Sequence, residues 1–230
     1  MATRNRPQTL ILGGGITGRS VLRHLTPTDA VVLVDSRSAV VEQLSAEFPG
    51  QLIRHVETAA AMTEMLIRPE HGFDRAVVSP GLADDHPLLS AVIEAGLPRL
   101  SDLDLFAAAV AAAPAPAPII GCTGTNGKST VTTLLGALLE GQGFRVGVGG
   151  NLGPPALDLL PETTGEQRQA DFYVLELSSF QLERSDSLPL ELAMFLNFAP
   201  DHLDYHRSEA AYFSAKQRIF KGASQYLCNR

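Results

Sequence analysis

The amino-acid sequence predicts an α/β protein with parallel sheets and helices on both faces. Three observations carry that expectation. Apolar runs of strand length alternate with segments of helical spacing along the 230 residues. Two glycine-rich turns, at 13–18 and 121–130, each join such a run to a helix-like segment. Between them lies Ala111-Ala112-Ala113-Pro114-Ala115-Pro116-Ala117-Pro118, whose prolines remove backbone donors and bias the chain to an extended form. That run reads as a linker, 114–118, between a first domain at 1–113 and a second at 119–230.

The elements follow in chain order. Gln8–Leu12 is a β-rich apolar run, and Gly18–Leu25 has helical spacing. Ala30–Val34 is a second apolar run, ending at Asp35. Val40–Phe48 reads as a helix and Gln51–Val56 as a weaker strand. Arg75–Val78 is a strand closed by Ser79-Pro80-Gly81. Leu88–Ala95 and Leu103–Ala112 are helices. Past the linker, Ile119–Cys122 is a strand, Lys128–Glu140 a helix and Phe172–Leu177 a strongly apolar strand. Leu192–Phe198 is a strand, Glu209–Phe220 a helix and Gln225–Cys228 a last strand.

Hydrophobic types make up 45% and charged types 19%, enough apolar material for a core, which excludes a wholly disordered chain. With 18 basic and 25 acidic residues the net charge is −7, which argues against nucleic acid or an anionic membrane as partner. A local basic pocket for a small anion stays open. Met1–Pro7 has no apolar signal-peptide region. The longest apolar stretch, Phe106–Ile120, carries three prolines and is no membrane span. The compartment expected is the cytoplasm. Cys122 and Cys228 have no metal-ligand spacing and read as reduced, buried thiols.

Gly13-Gly14-Gly15-Ile16-Thr17-Gly18 fits G-x-G-x-x-G between a strand and a helix, and Asp35 follows Gly15 by 20 residues. Such a turn lets a pyrophosphate approach the backbone at a helix N-terminus. NAD(P), FAD and a UDP-sugar all satisfy it, and a plain strand-to-helix turn is the bland alternative. Ser79-Pro80-Gly81 reads as a second lip of the same crevice, or simply as a tight turn.

The second motif, Gly121-Cys122-Thr123-Gly124-Thr125-Asn126-Gly127-Lys128-Ser129-Thr130, meets the P-loop pattern except that Cys122 stands at the leading glycine position. Gly124 and Gly127 let backbone N–H groups converge on phosphate oxygens. Lys128 adds a charge, and Ser129 can ligate Mg²⁺. The acid such a loop needs is supplied by Glu176 at the end of an apolar run. His202 and His206 lie at i and i+4, a spacing that could bind a metal on a helix, although no third soft ligand accompanies them. Lys216, alone on a helical segment, reads by spacing as part of a solvated face.

Together these motifs resemble the Mur ligase family, most closely its D-glutamate-adding member, from Leu10 to Arg230. The most specific parts are Gly124–Ser129, Gly147–Gly153, Leu175–Leu182 and Asn197–Asp204. The family's phosphate loop also lacks the leading glycine, so Cys122 becomes support. The resemblance implies a Rossmann-like N-terminal domain followed by a P-loop-type central domain truncated at Arg230, with a C-terminal domain absent. Ile16, Thr17, Asp35, Ser36, Arg37, Ser79, Pro80 and Gly81 would then hold the UDP part of the substrate. Gly124, Thr125, Asn126, Gly127, Lys128, Ser129 and Thr130 would hold ATP. Ser129 and Glu176 would bind one Mg²⁺, and His202 with Lys216, carried as a carbamate, would serve the metal site. Asn151, Ser178, Gln181 and His202 would line the reacting centre.

The activity implied is amide formation between UDP-N-acetylmuramoyl-L-alanine and D-glutamate through an acyl phosphate, in peptidoglycan precursor synthesis, by a protein that is monomeric at full length. A chain of this span is expected to bind its ligands without completing the reaction, and to leave a sheet edge exposed. A non-catalytic nucleotide- or UDP-sugar-binding module and an NAD(P)-dependent oxidoreductase are the alternatives.

Overall fold

The computed structural model describes residues 6–67, 72–161, 169–186 and 188–229. The chain forms two compact units, Met1–Asp102 and Leu103–Arg230.

In the first unit the order is β1 (Gln8–Leu12), α1 (Ile16–Leu25), β2 (Ala30–Asp35), α2 (Ser38–Glu47), β3 (Leu52–His55) and α3 (Ala59–Ile67). These are followed by β4 (Arg75–Val78), α4 (Pro87–Glu94) and β5 (Arg99–Leu100). The five strands pair in parallel in the order β3-β2-β1-β4-β5. The central strands are apolar without alternation because both faces are covered. Leu10 and Leu12 on one face meet Val32, Val34, Ala76 and Val78, with Met62, Leu88, Leu89 and Val92 packed above. Each such side chain removed from water is worth roughly 1.5–3 kcal/mol. Thr9 and Arg75 both donate to the buried carboxylate of Asp29, which removes the cost of burying that charge alone.

The second unit takes in α5 (Asp102–Ala112) from Leu103 onward. It continues with β6 (Ile119–Thr123), α6 (Lys128–Gly141), β7 (Val146–Gly150), a 3₁₀ turn at Ala156–Leu159, β8 (Phe172–Glu176) and α7 (Ser179–Arg184). Then come β9 (Leu192–Phe195), α8 (Leu203–His206), α9 (Glu209–Gln217), a 3₁₀ turn at Arg218–Phe220 and β10 (Gln225–Cys228). Its sheet is also parallel, ordered β10-β9-β6-β8-β7. No helix among the described residues is long and apolar enough to cross a membrane.

The packing shifts the boundary read from sequence. The units divide at Asp102, ahead of the Pro/Ala run, because α5 packs on the second sheet. Phe106 meets Tyr173 edge to face at 5.0 Å, and Ser185 donates to Asp104 at 2.9 Å. Among the described residues, the sequence reading passed over α3, β5, β7, the 3₁₀ turn at Ala156–Leu159, α7 and α8. The strand expected over Leu192–Phe198 stops at Phe195, and the residues beyond it serve the phosphate loop described below. Cys122 is buried, as expected, but Cys228 is exposed, since β10 is an edge strand with all four residues open.

Candidate functional site

In the first unit the loops after β1, β2 and β4 enclose a cavity of about 430 Å³. The strand order reverses between β1 and β4, where open parallel sheets bind ligands. All eight residues expected to hold the UDP part, Ile16, Thr17, Asp35, Ser36, Arg37, Ser79, Pro80 and Gly81, line it. The glycine turn is built for close approach. A Cβ on Gly18 would stand 1.9 Å from the Gly13 carbonyl oxygen, so only glycine lets α1 start this near β1. Gly15, the N-cap of α1, has no side-chain cap and open space where a Cβ would go, which leaves the first N–H groups of the helix available to an anion.

Asp35 is 3% exposed, and its carboxylate is fully engaged. Oδ2 accepts from the Gly14 N–H at 2.7 Å and from Arg37 Nη2 at 2.7 Å. Oδ1 accepts from the Arg37 N–H at 2.9 Å and Nε at 2.8 Å. Burial pushes its pKa up, but the Arg37 fork and the two backbone donors outweigh it and hold the carboxyl below the usual aspartate value. With two donors on each oxygen, no acceptor is left for a ribose 2′-hydroxyl, the role this position has in dinucleotide-binding turns. That removes the main support for the oxidoreductase alternative.

In the second unit the phosphate loop runs from β6 into α6. Gly127, the N-cap, sits at φ +78, a conformation glycine adopts without strain. The loop is braced from behind by the segment after β9. Asn126 N–H donates to Asn197 Oδ1 and Asn197 Nδ2 to the Asn126 carbonyl, both at 3.0 Å, while Thr125 Oγ1 donates to the Ala199 carbonyl at 3.0 Å. Lys128 Nζ folds back on the Thr125 carbonyl at 3.0 Å. Thr130 follows on the exposed first turn of α6.

Glu176 ends β8 and draws the loop elements together. Its Oε2 accepts from Ser129 Oγ at 2.7 Å and its Oε1 from Asn151 Nδ2 at 2.8 Å. The Asn151 N–H also donates to the Glu176 carbonyl at 2.8 Å, which fixes the turn after β7. The hard oxygens of Ser129 and Glu176 suit Mg²⁺, which is commonly held by one or two carboxylates together with substrate phosphates.

Lys216 is 2% exposed, not on a solvated face. Its Nζ donates to the Gly124 carbonyl at 2.8 Å and lies 4.6 Å from the centre of the Tyr212 ring. Burial, then the Lys128 charge, lower its pKa to about 8, against the pull of Asp201 and Glu176. Ser178 and Gln181 act on each other: Ser178 caps α7 by accepting from the Gln181 N–H, and Gln181 Oε1 accepts from the Ser178 N–H.

The two histidines sit in different surroundings. His202 is the left-handed N-cap of α8, half exposed against Phe180. His206 is buried, with Nε2 2.9 Å from Ser179 Oγ, and burial first, then His202 and Lys216, lower its pKa. Sequence reasoning missed His86, Leu82 and Leu88 in the first cavity. The His86-Pro87 pair was the available signal, since proline favours the first helical position and marks the residue before it as a cap.

A parallel α/β unit whose loop carries Lys-Ser opposite a strand-end carboxylate has the P-loop pattern. Here it follows, along the chain, the first unit with a glycine turn and a cavity of its own. The MurD-like N-terminal domain of Mur ligases matches residues 7–101, and the Mur ligase middle domain matches residues 122–229. The chain belongs to the Mur ligase family. It is 41% identical over 230 residues to the UDP-N-acetylmuramoylalanine--D-glutamate ligase of Vibrio campbellii, covering 99% of this chain and 48% of that one. The ligase of the same name from Legionella pneumophila is 39% identical over 98% of this chain and 48% of its own length. The chain thus spans about half the length of these relatives. Among solved structures, it is similar in fold to a UDP-N-acetylmuramate:L-alanyl-gamma-D-glutamyl-meso-diaminopimelate ligase from Neisseria meningitides. The TM-score is 0.58, with 21% identity over 97% of this chain and 71% of that one. It is also similar in fold to the UDP-N-acetylmuramate-alanine ligase of Thermotoga maritima, with a TM-score of 0.52 and 20% identity over 96% of this chain and 48% of that one.

Proposed function

We propose that the protein is an ATP-dependent ligase that joins D-glutamate to UDP-N-acetylmuramoyl-L-alanine. In this reading the first unit binds the UDP part and the second the ATP phosphates. The observation that carries it is Glu176 bridging Ser129 and Asn151 beside the phosphate loop. The names of the 39–41% identical relatives support the choice of substrates.

The carboxylate of the alanyl group attacks the γ-phosphorus of ATP, ADP leaves, and an acyl phosphate forms. The glutamate amine attacks the acyl carbon, phosphate departs with its bonding pair, and the amine sheds a proton. Lys128 and the loop N–H groups stabilise charge on the transferring phosphoryl group. Ser129 and Glu176 would hold Mg²⁺, which neutralises phosphate charge when bound. Asn151, Ser178, Gln181 and His202 are assigned to the reacting centre. Lys216 is assigned as a carbamate: with its pKa near 8 the amine has a neutral fraction able to add CO₂ and release a proton. Nucleotide-linked precursors place the work in the cytoplasm.

Lys128→Ala tests the assignment. Calorimetry is expected to show loss of ATP–Mg²⁺ binding with UDP binding unchanged, and any phosphate release that needs both substrates is expected to stop. ATP binding at wild-type affinity in this variant would overturn the reading of the loop.

A further inference from the structure

His86 lines the cavity of the first unit, on the same side as Ser79, Pro80 and Gly81. Its backbone is extended, with φ −65 and ψ 129, because Pro87 follows and disfavours the helical region for the residue before it. That places His86 at the N-cap of α4, where its ring Nδ1 accepts from the Leu88 N–H at 3.3 Å. A nitrogen that accepts carries no proton, so in the neutral ring the proton is on Nε2.

Ser79 Oγ donates to the Gly13 carbonyl at 3.2 Å, and so ties the two lips together. Arg37 commits Nε and Nη2 to Asp35, and Asp35 has no free acceptor. The N-cap of α1 makes no side-chain cap, so the first N–H groups of that helix stay available, whereas the Arg37 N–H at the cap of α2 goes to Asp35 and the Leu88 N–H of α4 to His86. Among the described lining residues that follow β4, Ser79 to Leu88, His86 Nε2–H is the side-chain donor with no hydrogen bond to the protein, while across the cavity Arg37 keeps Nη1.

We propose that His86 is a further binding residue of this cavity, donating Nε2–H to an oxygen of a uridine diphosphate. The proposal rests on the reading of the cavity as the UDP site. The α4 cap does two jobs: it ends the helix, and it fixes the tautomer that presents a donor to the ligand.

The experiment separates these roles. His86→Asn keeps a side-chain oxygen able to cap the helix, while its amide N–H lies one atom nearer the backbone and falls short of the point that Nε2–H reaches. UDP is the probe, titrated calorimetrically into the full chain and each variant, with thermal unfolding as the check on folding. His86→Asn is expected to keep the wild-type unfolding temperature and to weaken UDP roughly three- to tenfold, the effect of one neutral hydrogen bond. His86→Ala is expected to lose affinity and stability together. In the ¹⁵N spectrum of the wild-type imidazole, Nε2 is expected to carry the proton and its signal to move on adding UDP. Wild-type UDP affinity in His86→Asn, or a proton on Nδ1, overturns the role of His86 and leaves the cavity reading standing. Failure of the wild type to bind UDP overturns both.

Discussion

Asp35 ends β2 with both carboxylate oxygens occupied, and this decides what the first glycine turn can do. The sequence showed an acid at dinucleotide spacing. It could not show that Arg37, two residues on, would fold back and use the acid up. The same contacts make a pH prediction. Asp35 has its folded-state pKa below the ordinary 3.8, so the unfolded chain takes up its proton first as acid is added. The stability it contributes is fully present above that value and is lost as pH falls below it. Asp35→Asn is expected to cost roughly 1.5–3 kcal/mol at pH 7, the range for hydrogen bonds to a charged group. The gap to wild type should close as pH drops below 3.8, measured by urea unfolding. A gap independent of pH would refute the carboxylate's role. Lys216 makes the opposite point about legibility. Its spacing on α9 suggests a solvated face, and only the closure of α9 behind the phosphate loop buries it on the Gly124 carbonyl.

At the scale of elements, the strands were the most legible and the short helices the least. β1, β4 and β10 match their expected bounds because their apolar runs are uninterrupted. β7 was hidden because Val146–Gly150 is mostly glycine and reads as loop. Its glycines are there to admit neighbours: a Cβ on Gly147 would stand 2.6 Å from the Tyr173 ring, and one on Gly150 2.3 Å from the Glu176 carbonyl oxygen. α7 and α8 are one or two turns long, too short for periodicity to register. Gly18→Ala tests how tightly α1 must start. The new methyl would collide with backbone, which cannot rotate away as a side chain can. The expected cost is about 2–4 kcal/mol with loss of UDP binding. Unfolding and binding at wild-type levels would show that α1 can shift without consequence.

At the scale of the whole molecule, the two sheets repeat one rule: each places its loops at strand C-terminal ends, where the strand order reverses. Each unit therefore presents a helix N-terminus at its proposed anion site, and the net charge of −7 is no argument against that proposal. Hydrogen exchange should report the two sites separately. UDP is expected to slow exchange at 13–18, 35–37 and 79–88 and ATP–Mg²⁺ at 124–130, neither protecting the other's loops. Protection of 124–130 by UDP alone would contradict the assignment of one ligand to each unit.

The sequence by itself determined the α/β class and the two glycine-rich turns, and it named the candidate site residues. These are local facts, set by side-chain period and by turn chemistry within a few residues. Only the tertiary structure decided which groups are spent and which are free. Asp35 is consumed by Arg37, Ser79 by Gly13 and Ser178 by Gln181, while Glu176 holds Ser129 on α6 and Asn151 after β7, far apart in the chain. It also decided that α5 joins the second unit and that Lys216 is buried. Hydrogen bonding and burial depend on distances between segments that parallel crossovers bring together, and no spacing along the chain records them.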